Sequence, residues 1–173
     1  MDSPITRLRA VAREQQQAYT QGADLPLGGY LVTLSVYGAL VAALSGAIRA
    51  TGRELPENVS PWDLAVLTLA THKLSRLITK ESVTSPIRAP FTRFQGAAGE
   101  AELHEEVRGE GVVRHSVGEL LTCPFCLGQW IATGFVGGLV LAPRVTRLVA
   151  ATFATLAGSD LLQLVYAQAK DRT

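Results

Sequence analysis

The sequence predicts an all-α integral membrane protein, a helical bundle of three or four transmembrane helices with a polar cytoplasmic loop. Three observations lead there. Charge is scarce, since 18% of the 173 residues are charged and 47% are hydrophobic, against about 25% charged in ordinary soluble domains. The scarcity is concentrated: from Leu25 to Ile48 nothing ionises except two tyrosines, and about 20 apolar residues rising ~1.5 Å each cross a hydrocarbon layer. A second uncharged run, Leu120 to Pro143, opens beside the chain's only two cysteines, Cys123 and Cys126.

Residues 1–24 form a polar N-terminal segment, and residues 25–173 the membrane domain. The first apolar run exceeds a signal-peptide core of roughly 7 to 15 residues, so it reads as a retained helix over 25–48, bounded by Asp24 and Arg49. Its Gly38, Ala42 and Gly46 recur every four residues, a ridge that lets another helix approach closely in lipid, within the chain or from a second copy. The next helix, 61–79, opens at Ser60-Pro61-Trp62-Asp63: a capping serine, a first-turn proline and an acid three positions on. Thr68, His72, Ser75, Arg76 and Thr79 share one of its faces, and Leu67, Ala70, Leu74, Leu77 and Ile78 another. Such a helix spans with its basic end at the headgroups, or lies in the interface.

Residues 80–118 read as a solvent-exposed polar loop, with one short helix from Gly99 to Arg108 over the acidic cluster Glu100, Glu102, Glu105 and Glu106. A third membrane helix follows at 124–142, with Pro124 in its first turn, Gly134 and Gly138 for close packing and Pro143 as its stop. The fourth, 148–169, carries Asp160 near its middle. An unpaired carboxylate there costs a few kcal/mol, so Asp160 should be protonated or paired, with Arg76 or His72 of the second helix as partner. An interhelix lock is favoured over a proton or ion relay.

Basic residues set the orientation. With four spans and the N-terminus inside, Arg7, Arg9, Arg13, Lys80, Arg88, Arg93, Arg108, Arg114, Lys170 and Arg172 fall on the cytoplasmic side, against Arg49, Arg53, Arg144 and Arg147 outside. Three spans with the N-terminus outside and the second helix on the surface satisfy the same rule. Both solutions place the 80–118 loop and the cysteine pair in the cytoplasm, where a permanent structural disulfide is not expected.

The stretch Ala70-Thr71-His72-Lys73-Leu74-Ser75-Arg76-Leu77-Ile78-Thr79-Lys80, continued by Thr84-Ser85-Pro86-Ile87-Arg88-Ala89-Pro90-Phe91-Thr92, resembles a family of small bacterial membrane proteins of unknown function. Gly118-Glu119-Leu120-Leu121-Thr122-Cys123-Pro124-Phe125-Cys126-Leu127-Gly128-Gln129-Trp130 is similar to that family's second motif. The resemblance runs from about Trp62 to the end of the third helix. It implies a multi-pass bacterial membrane protein, with some relatives named as sporulation proteins, and no known reaction.

The cysteine pair admits three readings: packing or latent thiols, half of a metal site, or disulfide exchange. A helix N-terminus favours thiolate. A zinc site needs about four ligands, so Cys123 and Cys126 would draw the rest from His72, His104 or His115, or from a second subunit; no cofactor is otherwise expected. His104 with Glu105 and Glu106 reads as a solvated acidic face, because a metalloprotease helix needs a second histidine where Arg108 stands. Glu119 should complement the N-terminus of the third helix. Net charge is only +1, without a basic cluster interleaved with aromatics, so nucleic acid is not expected as a partner. No phosphate loop or nucleophile elbow is present, and a few helices without an inverted repeat make a poor transporter. The sequence therefore points to a structural or interaction component of a bacterial envelope, whose partners are the lipid bilayer and a second copy or another membrane protein, and which is not expected to be an enzyme. The alternative is a membrane-bound thiol redox or metal-binding protein using Cys123 and Cys126.

Overall fold

A computed structural model describes residues 4–21, 25–108 and 111–172; Asp24, the expected polar boundary of the first apolar run, lies outside them. The elements follow in the order α1 (Pro4–Thr20), α2 (Leu27–Ala50), α3 (Pro61–Thr79), a 3-10 turn (Ser82–Thr84), α4 (Ser85–Arg88), strands β1 (Thr92–Gly99) and β2 (Glu102–Val107), α5 (Val112–Thr122), α6 (Pro124–Leu141) and α7 (Pro143–Lys170). The chain is mostly helical, with one small two-stranded sheet. Three of the helices, α2, α6 and α7, are long and apolar enough to cross a membrane.

Cross-helix contacts fix the directions of the bundle. Tyr37 of α2 hydrogen-bonds Thr133 of α6 at 2.8 Å and meets Trp130 edge-on at 5.3 Å. One helical stretch further along both chains, Leu44 packs over Gly137, so α2 and α6 run parallel. Asp63 and Arg147 pair at 2.8 Å, and Lys73 and Asp160 at 2.7 Å, so α3 and α7 also run parallel. Only Ala142 separates α6 from α7, and a Cβ on Gly138 would stand 2.6 Å from Thr146 Oγ1, which makes that pair a tight antiparallel hairpin. The four helices therefore alternate in direction, and the ends of α2 and α6 that come first in the chain share one end of the bundle with the last residues of α3 and α7.

The core is small and centred on α3. Leu67 and Ala70 of α3, Phe135 of α6 and Ala150 of α7 are buried, with Val66, Leu74, Ile131, Leu139 and Phe153 packed around them. Ser60 caps α3 by accepting the Trp62 N–H at 3.2 Å, with Pro61 in the first turn; the helix starts and stops at the residues expected. The expected split of its faces holds only in part. Ser75 and Thr79 are buried with Lys73, because the last turns of α3 pack against polar groups rather than lipid-like ones. Pro143 ends α6 and also opens α7, which therefore begins five residues before the expected 148. A proline suits the first turn because the N–H it lacks is unbonded there anyway.

The largest correction lies between residues 80 and 118. No helix runs from Gly99 to Arg108: β1 and β2 pair antiparallel, with Thr92 opposite Val107 and Gly99 opposite Glu102, and two register shifts between. Ala101, at φ +60, and Gly99, at φ +143, make the turn. Nor is the segment simply the solvent-exposed polar loop expected. The Ser82 N–H donates to the Ala101 carbonyl and the Leu103 N–H to the Lys80 carbonyl, so the hairpin is laced back onto the end of α3. On its other side it meets α5 at Gly118, where a Cβ would stand 2.6 Å from Val107 Cγ1 and 3.2 Å from the Phe91 carbonyl.

Candidate functional site at the hairpin end of the bundle

A helix ends with four backbone carbonyls that have no partner within it. At the end of α3 the sequence supplies those partners from the residues just downstream. Arg88 is wholly buried, and its guanidinium donates to the Ile78 carbonyl at 2.7 Å, to Thr84 Oγ1 at 2.8 Å, to the Glu81 carbonyl at 3.1 Å and to the Glu105 carboxylate. Thr84 in turn donates to the Leu77 carbonyl. The stretch Lys80-Glu81-Ser82-Val83-Thr84-Ser85-Pro86-Ile87-Arg88 thus turns back under α3 and caps it with a side chain. Glu105, expected on a solvated acidic face, is the buried counter-ion of that cap, its side chain 6% exposed.

Three further ion pairs stand beside it. Arg76 grips Glu102 through both carboxylate oxygens, at 2.7 and 2.6 Å, tying α3 to β2. Lys73 lies between Glu81 and Asp160, tying α3 to α7. Asp160 is paired, but its partner is Lys73 and not Arg76 or His72: Arg76 is committed to the hairpin, and His72 is exposed. All three charges of α3, Asp63, Lys73 and Arg76, are neutralised by neighbouring elements.

Lys73, Arg76 and their carboxylate partners line a groove of about 740 Å³, together with His72, the Glu100–Ala101 turn, and Ala157, Leu161 and Leu164 of α7. The amphipathic pattern of α3 does not encode this arrangement, because the partners of Lys73 and Arg76 come from other elements. The signal for it was the density of short polar side chains and alternating charges around Pro86, which a solvated loop does not need.

The cysteine pair stands at the junction of α5 and α6 and lines no part of the groove. Cys123 ends α5 and begins α6, and its sulfur accepts the Cys126 N–H at 3.1 Å. The two Cα atoms are 5.3 Å apart and the sulfurs are joined, whereas a cytoplasmic pair is not expected to hold a permanent structural disulfide. The N-cap conformation of Cys123 brings its side chain over the first turn of α6, where Cys126 waits. Among the described residues no group of three or more His, Cys, Asp and Glu side chains is arranged to hold a metal ion. His104 is exposed on β2 and His115 lies 3.5 Å from Glu119 on α5; neither they nor His72 form such a group with the pair. Glu119 sits within α5 rather than ahead of α6, accepting the Tyr30 hydroxyl at 3.2 Å, so it joins α5 to the start of α2.

The fold and the site define a helical bundle with three membrane-length apolar helices, closed at one end by an ion-paired hairpin. The chain belongs to the family described as protein of unknown function (DUF1360), whose profile matches residues 66–166. That span takes in the Arg88 cap, the hairpin, the cysteine pair and Asp160. The chain is also similar to "Sporulation protein YjcA" of Bacillus subtilis (strain 168), 34% identical over 85 residues that cover 47% of this chain and 68% of the relative. No solved structure matches it.

Proposed function

We propose that this is a multi-pass protein of the bacterial cell membrane, with α2, α3, α6 and α7 all crossing, and that its role is to hold other membrane components together. The observation that carries the reading is the outer surface of α2. None of its 18-residue apolar window is buried within the chain, and Gly38 and Gly46 have open space where a Cβ would stand. A helix of 24 residues with an uncovered small-residue ridge fits lipid on part of its face and a close-packed second helix on the rest. A second copy of this chain is the partner proposed.

Crossing by α3 is supported by its alignment with α7 and by the pairing of each of its charges, which removes the main cost of placing them near lipid. The hairpin end takes the cytoplasmic side, since Lys80, Arg93, Arg108, Arg114 and Lys170 lie there against Arg49, Arg53, Arg144 and Arg147 at the other end. The sporulation name of the Bacillus subtilis relative supports a sporulation-linked role in a spore-forming host. Disulfide or chemical cross-linking between differently tagged copies in native membranes tests the assembly. Cross-linked pairs that Gly38→Leu abolishes, with the variant still membrane-inserted, are expected. An equal yield in both forms overturns the α2 interface.

A further inference from the structure

We propose that Cys123 and Cys126 form a thiol–disulfide exchange site acting on protein disulfides, with Cys123 as the attacking sulfur and Cys126 as the resolving one. The pair is poorly explained as a staple. It closes a loop of sequence separation 3, and a bridge over so short a loop removes little freedom from the unfolded chain. It fastens no distant parts of the chain, since Cys123 is the residue between α5 and α6 and Cys126 lies in the opening turn of α6. Under the orientation proposed above it faces a reducing compartment, where disulfides that do form are mostly transient and catalytic.

The local geometry separates the two sulfurs by task. Cys123 caps an 18-residue helix and its sulfur already accepts the Cys126 N–H at 3.1 Å. Negative charge on that sulfur is stabilised by the amide and by the helix N-terminus. Cys126 has no such cap and stands exposed, one turn on. Between them Phe125 is 90% exposed, so no side chain of the described residues covers the approach to the sulfurs at that point. Charged α5 lies on one side of the pair and uncharged α6 on the other, so the site stands at the water-facing edge of the apolar bundle and not inside it. The chain contains no third cysteine, which leaves Cys126 alone to resolve.

The step balances within the pair and its substrate. The Cys123 thiolate attacks one sulfur of the partner's disulfide, breaking that S–S bond and forming a mixed disulfide, while the expelled partner sulfur takes up a proton. Cys126 then loses its proton, attacks Cys123 sulfur and expels the second partner thiolate, which is protonated in turn. Two electrons pass from the pair to the partner, whose two sulfurs take up the proton of Cys126 and one from solvent, where Cys123 left its own on ionising; run backwards, the same site oxidises a partner dithiol.

The test uses the full chain in detergent micelles, with oxidised glutathione as the disulfide probe and mass spectrometry as the readout. At pH 7, Cys126→Ser should form its mixed disulfide at Cys123 about tenfold faster than Cys123→Ser forms one at Cys126. The unmutated protein should pass reversibly between dithiol and disulfide as the ratio of reduced to oxidised glutathione is varied, with no denaturant. Equal rates for the two variants overturn the assignment of roles. A wild-type pair that stays locked in one state across that range overturns the exchange site itself, and does so whether or not copies assemble through α2.

Discussion

Arg88 shows how one side chain can decide whether an end of the fold exists. A buried guanidinium is tolerable only when its donors and its charge are both satisfied. Here two carbonyls, a threonine hydroxyl and the Glu105 carboxylate do so. Arg88→Ala removes the cap from α3 and strands Glu105 without a counter-ion, and should cost about 3 to 5 kcal/mol, read as thermal unfolding in micelles. Replacing both partners, Arg88→Met with Glu105→Leu, should cost clearly less than either single change, because no charge is then left buried. A double variant as unstable as the sum of the singles would mean that the pair is not coupled.

A second residue-scale contrast concerns Lys73, which serves two carboxylates. Lys73→Met leaves Glu81 and Asp160 facing each other uncompensated, and should destabilise the bundle by about 3 kcal/mol. Asp160→Asn leaves the Lys73–Glu81 pair intact and should cost about 1 kcal/mol. Denaturant titration of the two variants side by side gives the order; the reverse order would show that Asp160 and not Lys73 holds the junction of α3 and α7.

Among the elements, the β-hairpin and α5 form a layer that closes one end of the helices, and the contact between them is set by a missing side chain. Gly118 is buried with the Phe91 carbonyl and Val107 against its Cα. Gly118→Ala puts a methyl group 3.2 Å from an immovable backbone oxygen, so α5 and the hairpin must separate, at about 1 to 3 kcal/mol. Gly134→Ala on α6, with open space around it, should be tolerated. Hydrogen exchange is the sharper readout: the Arg108 amide, bonded to the Phe91 carbonyl at 2.8 Å, should lose protection in the first variant and keep it in the second.

How far the elements were legible in the sequence follows from what signalled them. The apolar helices announce themselves by length and absence of charge, and α3 by its serine cap and proline, so their positions agree within a few residues. The start of α7 is less legible, because Pro143 both stops α6 and opens the next helix. The hairpin was missed for a physical reason. On β2 the inward positions are Leu103, Glu105 and Val107, and the alternation that marks a half-buried strand is broken by a carboxylate whose burial depends on Arg88, 17 residues away. No local pattern encodes that partner. The same holds for Asp160: that it needed a partner was readable from its depth in an apolar run, but which cation would reach it depended on the hairpin already occupying Arg76.

For the molecule as a whole, the alternation of helix directions makes a claim about topology that composition left open between two solutions. Because α3 runs back alongside α7, the α2–α3 connection and the hairpin lie at opposite ends of the bundle. If α3 lay flat on the membrane surface, both would lie on the same side. In a Cys123→Ser, Cys126→Ser background, a single cysteine at Glu54 and another at Glu100 separate the cases with a membrane-impermeant maleimide. The four-crossing arrangement, oriented by the excess of arginine and lysine at the hairpin end, expects Glu54→Cys to be labelled in intact cells and Glu100→Cys only after the membrane is opened. Labelling of both only after opening would put α3 on the surface and the N-terminus outside. Labelling of Glu100→Cys alone in intact cells would keep the four crossings and invert them, and would place the cysteine pair in an oxidising space where a permanent disulfide is ordinary. One pair of labels therefore tests the path of the chain and decides which environment Cys123 and Cys126 meet.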